Sequence, residues 1–113
     1  MRTVSDRGLM LIKHFEGFSA YPYQCPAGKK TIGYGHVIHQ QEEAILVCIN
    51  YEKAEQLLKA DIQMAERAIA KHVSIPLIQD QFDALASFIY NVGVTAFVHS
   101  TLLRLLNEKN WSR

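Results

Sequence analysis

One apolar stripe of helical period runs for about four turns through the middle of the chain. Ala54, Leu57, Leu58, Ile62, Ala65 and Ile69 fall on one face, and Lys53, Glu55, Lys59, Gln63 and Glu66 lie off it. Asn50 stands where a side chain can cap the first turn. The spacing predicts a helix of about 21 residues, ~31 Å long at 1.5 Å per residue. A helix of that length spans a small domain, and the sequence differs in texture on its two sides.

Before the stripe, residues 5–16 read as a short helix: Ser5 or Asp6 caps it, Leu9, Ile12 and Phe15 recur at helical period, and Gly17 ends it. Residues 17–38 then hold Gly17, Gly28, Gly33, Gly35, Pro22 and Pro26 among aromatic and β-branched residues. That is turn chemistry with short strands, a small antiparallel hairpin or three-stranded sheet. After the stripe, Pro76 punctuates a connection. Phe82, Leu85, Phe88, Ile89 and Val92 predict a central, buried helix from Asp80 to Val92, ended by Gly93. Ser100 caps a further short helix carrying Leu102, Leu103, Leu105 and Leu106, and Asn110-Trp111 opens another element. The expected fold is α+β: a β lobe over about 17–50, and a mainly helical lobe over about 51–113 joined by the N-terminal helix. With 113 residues, one domain with a modest core is expected.

Composition excludes several classes. Twelve Lys+Arg against eleven Asp+Glu leave a formal charge of +1, which gives no case for a nucleic-acid partner. The longest strongly apolar stretch, Ala44 to Ile49, is far short of the ~20 residues that span a bilayer. The N-terminus lacks the apolar core and cleavage site of a secretory signal, so the two cysteines, Cys25 and Cys48, are expected reduced rather than bridged. His36 and His39 have H-x-x-H spacing, but no Cys or carboxylate stands at ligand spacing beside them, and no metal is expected.

Glu16 is the residue with the clearest chemical promise. It lies at the expected C-terminus of the first helix, where the negative end of the helix dipole disfavours a carboxylate and raises its pKa. A Glu that keeps its proton near neutral pH can act as a general acid, although an isolated Glu there also reads as an ordinary surface residue.

Its neighbours sharpen the choice. Phe15-Glu16-Gly17, Ala20-Tyr21, Cys25-Pro26-Ala27-Gly28 and Thr31-Ile32-Gly33-Tyr34-Gly35-His36 form a connected series. This series resembles the phage-type lysozymes (endolysins) of glycoside hydrolase family 24. Their pattern is a Glu, eight residues, an Asp, five residues and a Thr that opens T-x-G-x-G-H. Here Glu16, Cys25 and Thr31 keep that spacing. The resemblance continues through the long helix, Gln81 to Leu85, Asn91-Val92-Gly93 and Ser100 to Arg104, and covers essentially the whole chain.

The resemblance implies a lysozyme-like fold and a muramidase that needs no metal or organic cofactor. Its substrate would be the β-1,4 bond between N-acetylmuramic acid and N-acetylglucosamine in peptidoglycan, and host-cell lysis would be the outcome. Glu16 would protonate the leaving sugar, and Thr31 would position the water or lie against the sugar. Cys25 stands where the family usually has Asp. It is a base or nucleophile of depressed pKa, a lesser contributor beside Glu16, or a small residue filling a turn. Val37, Tyr90 and Asn91 would line the substrate cleft, and His36 would pair with Asp61 on the long helix. The resemblance also implies that a C-terminal part is missing, leaving an apolar patch open to self-association. A catalytically weak or inactive form that only binds peptidoglycan is the alternative. The protein would remain in the host cytoplasm until a separate pore-forming protein opened the membrane.

Overall fold

The computed structural model describes residues 2–108. The helices are α1 (Asp6–Glu16), α2 (Tyr51–His72), α3 (Gln79–Val92), α4 (Val94–Val98) and α5 (Thr101–Asn107). The strands are β1 (Ser19–Gln24), β2 (Lys30–Gly33) and β3 (His36–Val37), and a single 3-10 turn covers Gln40–Glu42. Residues Met10–Asp61 form one compact unit, and the segments through Leu9 and from Ile62 onward form a second. The divisions fall inside α1 and α2.

In the Met10–Asp61 unit the three strands form one antiparallel sheet in the order β1-β2-β3. Ser19 pairs with Gly33, but Tyr23 pairs with Thr31, so the register shifts between them. Pro22, which has no N–H to give, sits in that irregular stretch of an edge strand, where a proline is tolerated. Ile12, Ile32, Leu46, Ala54 and Leu58 supply the buried apolar side chains here. Asn50 accepts the Lys53 N–H at 2.8 Å, the cap that starts α2. Gly33 has φ +69°, and a Cβ there would stand 3.2 Å from both Ala54 Cβ and Ile49 Cδ1. Handedness and space both call for glycine in the middle of the T-I-G-Y-G-H run.

In the second unit the core is drawn from Ile62, Ala65, Ile69, Phe82, Leu85, Ala86, Ile89 and Phe97. Ser5 caps α1 by accepting the Gly8 N–H at 3.1 Å. Its own N–H and hydroxyl donate to Asp83 of α3, and Gln79 Nε2 donates to the same carboxylate at 2.8 Å. Burial alone would raise the Asp83 pKa, but these donors and the charge of Arg2 hold it below the usual value. The approach of α1 to α3 is close: a Cβ on Gly8 would lie 2.7 Å from Asp83 Cγ and from Val4 Cγ1.

Three details differ from the sequence reading. Glu66 is buried, because its carboxylate accepts the Val4 N–H at 2.7 Å and so is satisfied inside the fold. Helix α3 is buried on one face only. Phe88, expected in the core, is 37% exposed and lines an apolar groove of about 290 Å³ with Leu77, Ala84, Leu102 and Leu106. Finally, the additional helix α4 follows Gly93 directly. The element expected at Asn110-Trp111 lies outside the described residues. Ser100 does cap α5, accepting the Leu103 N–H at 3.1 Å.

Candidate active site

The chemistry-bearing residues of the Met10–Asp61 unit gather around the end of α1 and one face of the sheet. Glu16 is the last residue of α1, and the Gly17 N–H closes the helix on Lys13 O at 2.9 Å. The Glu16 carboxyl is half-buried, and that burial raises its pKa above the usual 4.5. The helix dipole invoked from sequence acts in the same direction, but burial is the cause seen here.

Cys25 opens the turn after β1. Its N–H donates to Lys29 O at 2.9 Å, and the Gly28 N–H returns to Cys25 O at 2.8 Å. Hydrogen bonding within this turn bears on the sulfur, first from the Lys29 backbone, then from the Ala27 backbone and the Thr31 hydroxyl. These donors favour a thiolate, and they lower the Cys25 pKa below 9.0 against the opposing effect of desolvation. Both Cys25 and Cys48 are free.

Thr31 is buried, and its hydroxyl donates to Lys29 O at 2.9 Å. One hydroxyl proton serves either that carbonyl or the Cys25 sulfur, so Thr31 can switch between them. The sheet register sets Tyr23, Thr31 and Val37 side by side across the three strands. Directly paired residues of antiparallel strands share a face, so this row is one surface, exposed at both edges. Tyr23 was not anticipated. Its phenol is raised by burial, and then by the negative charges of Glu16 and Cys25, so it lies within electrostatic reach of both groups. Tyr90 is half-buried and Asn91 exposed at the C-terminal end of α3, in the second unit.

The opposite face of β2 and β3 holds Ile32 and His36, which are also register partners. His36 is buried, with Nδ1 2.7 Å from Asp61 Oδ2 and Nε2 3.1 Å from Glu42 Oε1. A ring with a carboxylate at each nitrogen donates from both, which requires the imidazolium. The hydrogen bond to Asp61 is the main cause that raises the His36 pKa above 6.5, and Glu42 adds to it. Sequence reading found Asp61 but not Glu42, which also accepts the His39 N–H at 2.9 Å. A raised folded-state pKa contributes stability that is fully present below 6.5 and fades as pH rises through the folded value. His36→Asn is therefore expected to cost about 2 kcal/mol in mildly acidic buffer and clearly less at high pH. Urea unfolding midpoints at the two pH values check this, and equal losses would remove the charged pairing from the account.

Comparison with known proteins places the chain in a family. The phage lysozyme profile matches residues 13–113. The chain is 40% identical over 109 residues to the endolysin of Acyrthosiphon pisum secondary endosymbiont phage 1, covering 96% of this chain and 73% of that protein. It is 42% identical over 113 residues to the endolysin of Salmonella phage P22, covering 98% and 77% of the two. Among solved structures, the muramidase domain of SpmX from Asticaccaulis excentricus superposes with a TM-score of 0.86 at 38% identity, covering 99% of this chain and 74% of that one. The fold is lysozyme-like. The chain belongs to the phage lysozyme family.

Proposed function

We propose that the protein is a muramidase that hydrolyses the β-1,4 bond between N-acetylmuramic acid and N-acetylglucosamine in peptidoglycan. Family membership supports the reaction class, and one observation carries the assignment of residues. An acid raised by burial and a thiol lowered by the hydrogen bonds of its turn both bear on the Tyr23 phenol, which the sheet register sets beside Thr31. Two groups pushed in opposite directions and both felt by one side chain suit an acid–base pair.

In this reading Glu16 gives its proton to the glycosidic oxygen as the bond to the anomeric carbon breaks. The Cys25 thiolate faces the positive charge that develops on the sugar and takes a proton from the attacking water, whose hydroxyl joins the anomeric carbon. Thr31 orients that water or the thiolate with the one hydroxyl proton it has. Val37 continues the same face at the sheet edge, while Tyr90 and Asn91 supply an aromatic ring and an amide suited to an N-acetylated sugar. His36 and Asp61, with Glu42, hold β3 to α2 and take no part in the chemistry.

The enzyme would act on the wall from the cytoplasm of the infected host once a separate pore-forming protein opens the membrane. Among the described residues no helix is long and apolar enough to cross a membrane. The presence of Cys25 at the usual Asp position favours one second reading, a wall-binding protein with little or no cleavage. Incubating the purified chain with cell walls separates the two. Muramidase action releases soluble fragments whose new reducing ends are N-acetylmuramic acid, whereas binding alone pellets the protein with intact walls.

A further inference from the structure

The pairing of β1, β2 and β3 sets Tyr23, Thr31 and Val37 in a row on one face of the sheet. Their sizes and exposures differ in an ordered way. Thr31, on the central strand, is 2% exposed, whereas Tyr23 and Val37 on the flanking strands are 38% and 37% exposed. A short side chain therefore forms the floor of the row, and two longer-reaching or branched apolar bodies stand at its sides. Adjacent strands lie about 4.8 Å apart, so the two flanking backbones are about 10 Å from each other. That span admits one ring lying over Thr31. The flanks are chemically unlike, since Val37 offers methyl groups and Tyr23 an aromatic face. A pyranose carries C–H groups on its ring faces and hydroxyls around its rim, so an aromatic face can take the sugar and leave its rim free.

The reactive groups lie toward the Tyr23 end of the row. Cys25 opens the turn directly after β1, and the phenol feels the charges of both Glu16 and Cys25. Burial and those charges keep the phenol protonated, so Tyr23 meets a neutral sugar as a neutral ring. We infer that Tyr23 contacts the substrate, carrying on its ring face the sugar whose bond is cleaved and so setting that sugar over Thr31. The inference rests on the muramidase reading and adds the side chain that orients the sugar at the sheet.

The test uses the Glu16→Gln protein, which is expected to bind without cleaving, and a soluble tetrasaccharide of alternating N-acetylglucosamine and N-acetylmuramic acid. With tyrosine rings labelled with carbon-13, the Tyr23 signals, assigned through Tyr23→Phe, are expected to shift when the tetrasaccharide is added. In calorimetric titrations Tyr23→Ala should weaken binding by about tenfold, the strength of a good aromatic contact, and Tyr23→Phe by less than about twofold. Tyr23 signals that do not move overturn the inference, as does a folded Tyr23→Ala protein that binds the tetrasaccharide as tightly as its parent. A Tyr23→Phe protein that loses as much as Tyr23→Ala also overturns it, because the ring would then not be the contact. Failure of the muramidase reading shows separately: the chain with Glu16 intact would shift the same signals and release no shorter saccharide.

Discussion

Glu16→Gln is expected to slow the clearing of purified cell walls by at least about a hundredfold, since a positioned proton donor contributes 10²–10⁴. The amide keeps the size and hydrogen-bonding outline of the acid but has no proton to give the leaving sugar. Glu16 has no ion pair to lose among the described residues, so the thermal midpoint should stay near that of the parent. Pelleting with walls should also be retained. A variant that clears walls as fast as the parent would sink the catalytic assignment and leave the wall-binding reading in possession.

The second large effect concerns Cys25 and is best read from a pH profile. In the proposed mechanism the productive form has Glu16 protonated and Cys25 ionised. With ordinary values of 4.5 and 9.0, a proton shared by the two would sit almost always on sulfur. Raising the acid and lowering the thiol both enlarge the productive population, about tenfold for each unit the gap closes. Activity falls when the pair gains a second proton, below the carboxyl range, and when it loses its last, in the thiol range. These limbs belong to the coupled pair rather than to either residue. In Cys25→Asp the last proton leaves in the carboxyl range, so the alkaline limb should fall by several pH units. Cys25→Ala should lose about a hundredfold at all pH values. An alanine variant with parental activity, or an aspartate variant with an unmoved alkaline limb, would take Cys25 out of the reaction.

Much of this arrangement could be read before any coordinates. Local chemistry was the reliable part. Ser5, Asn50 and Ser100 cap the helices they precede, because capping depends on residues three apart. The Glu16, Cys25 and Thr31 spacing pointed to the groups proposed for catalysis. What stayed hidden depends on long-range partners. Glu66 looked like part of a solvated face because a periodicity argument sorts by polarity, whereas its burial depends on an N–H 62 residues away. Glu42 became the second partner of His36 through a 3-10 turn that carries little pattern. Phe88 has the right period for the core, but it lines an open groove together with Leu102 and Leu106 of α5. Tyr23 joins Thr31 through the pairing of β1 with β2, a register that the sequence pattern does not state.

The contact between Gly8 and Asp83 has a consequence for how this sequence can vary. The carboxylate occupies the space that any side chain at position 8 would need, and it also holds both polar groups of Ser5. The three positions form an epistatic unit in which effects do not add. A larger residue at 8 becomes admissible only when the side chain at 83 shrinks and Val4 also gives way, and the change at 83 strips Ser5 of its acceptor. Neutral drift at this junction would have to pass through intermediates worse than either end, so its three residues should persist or change together.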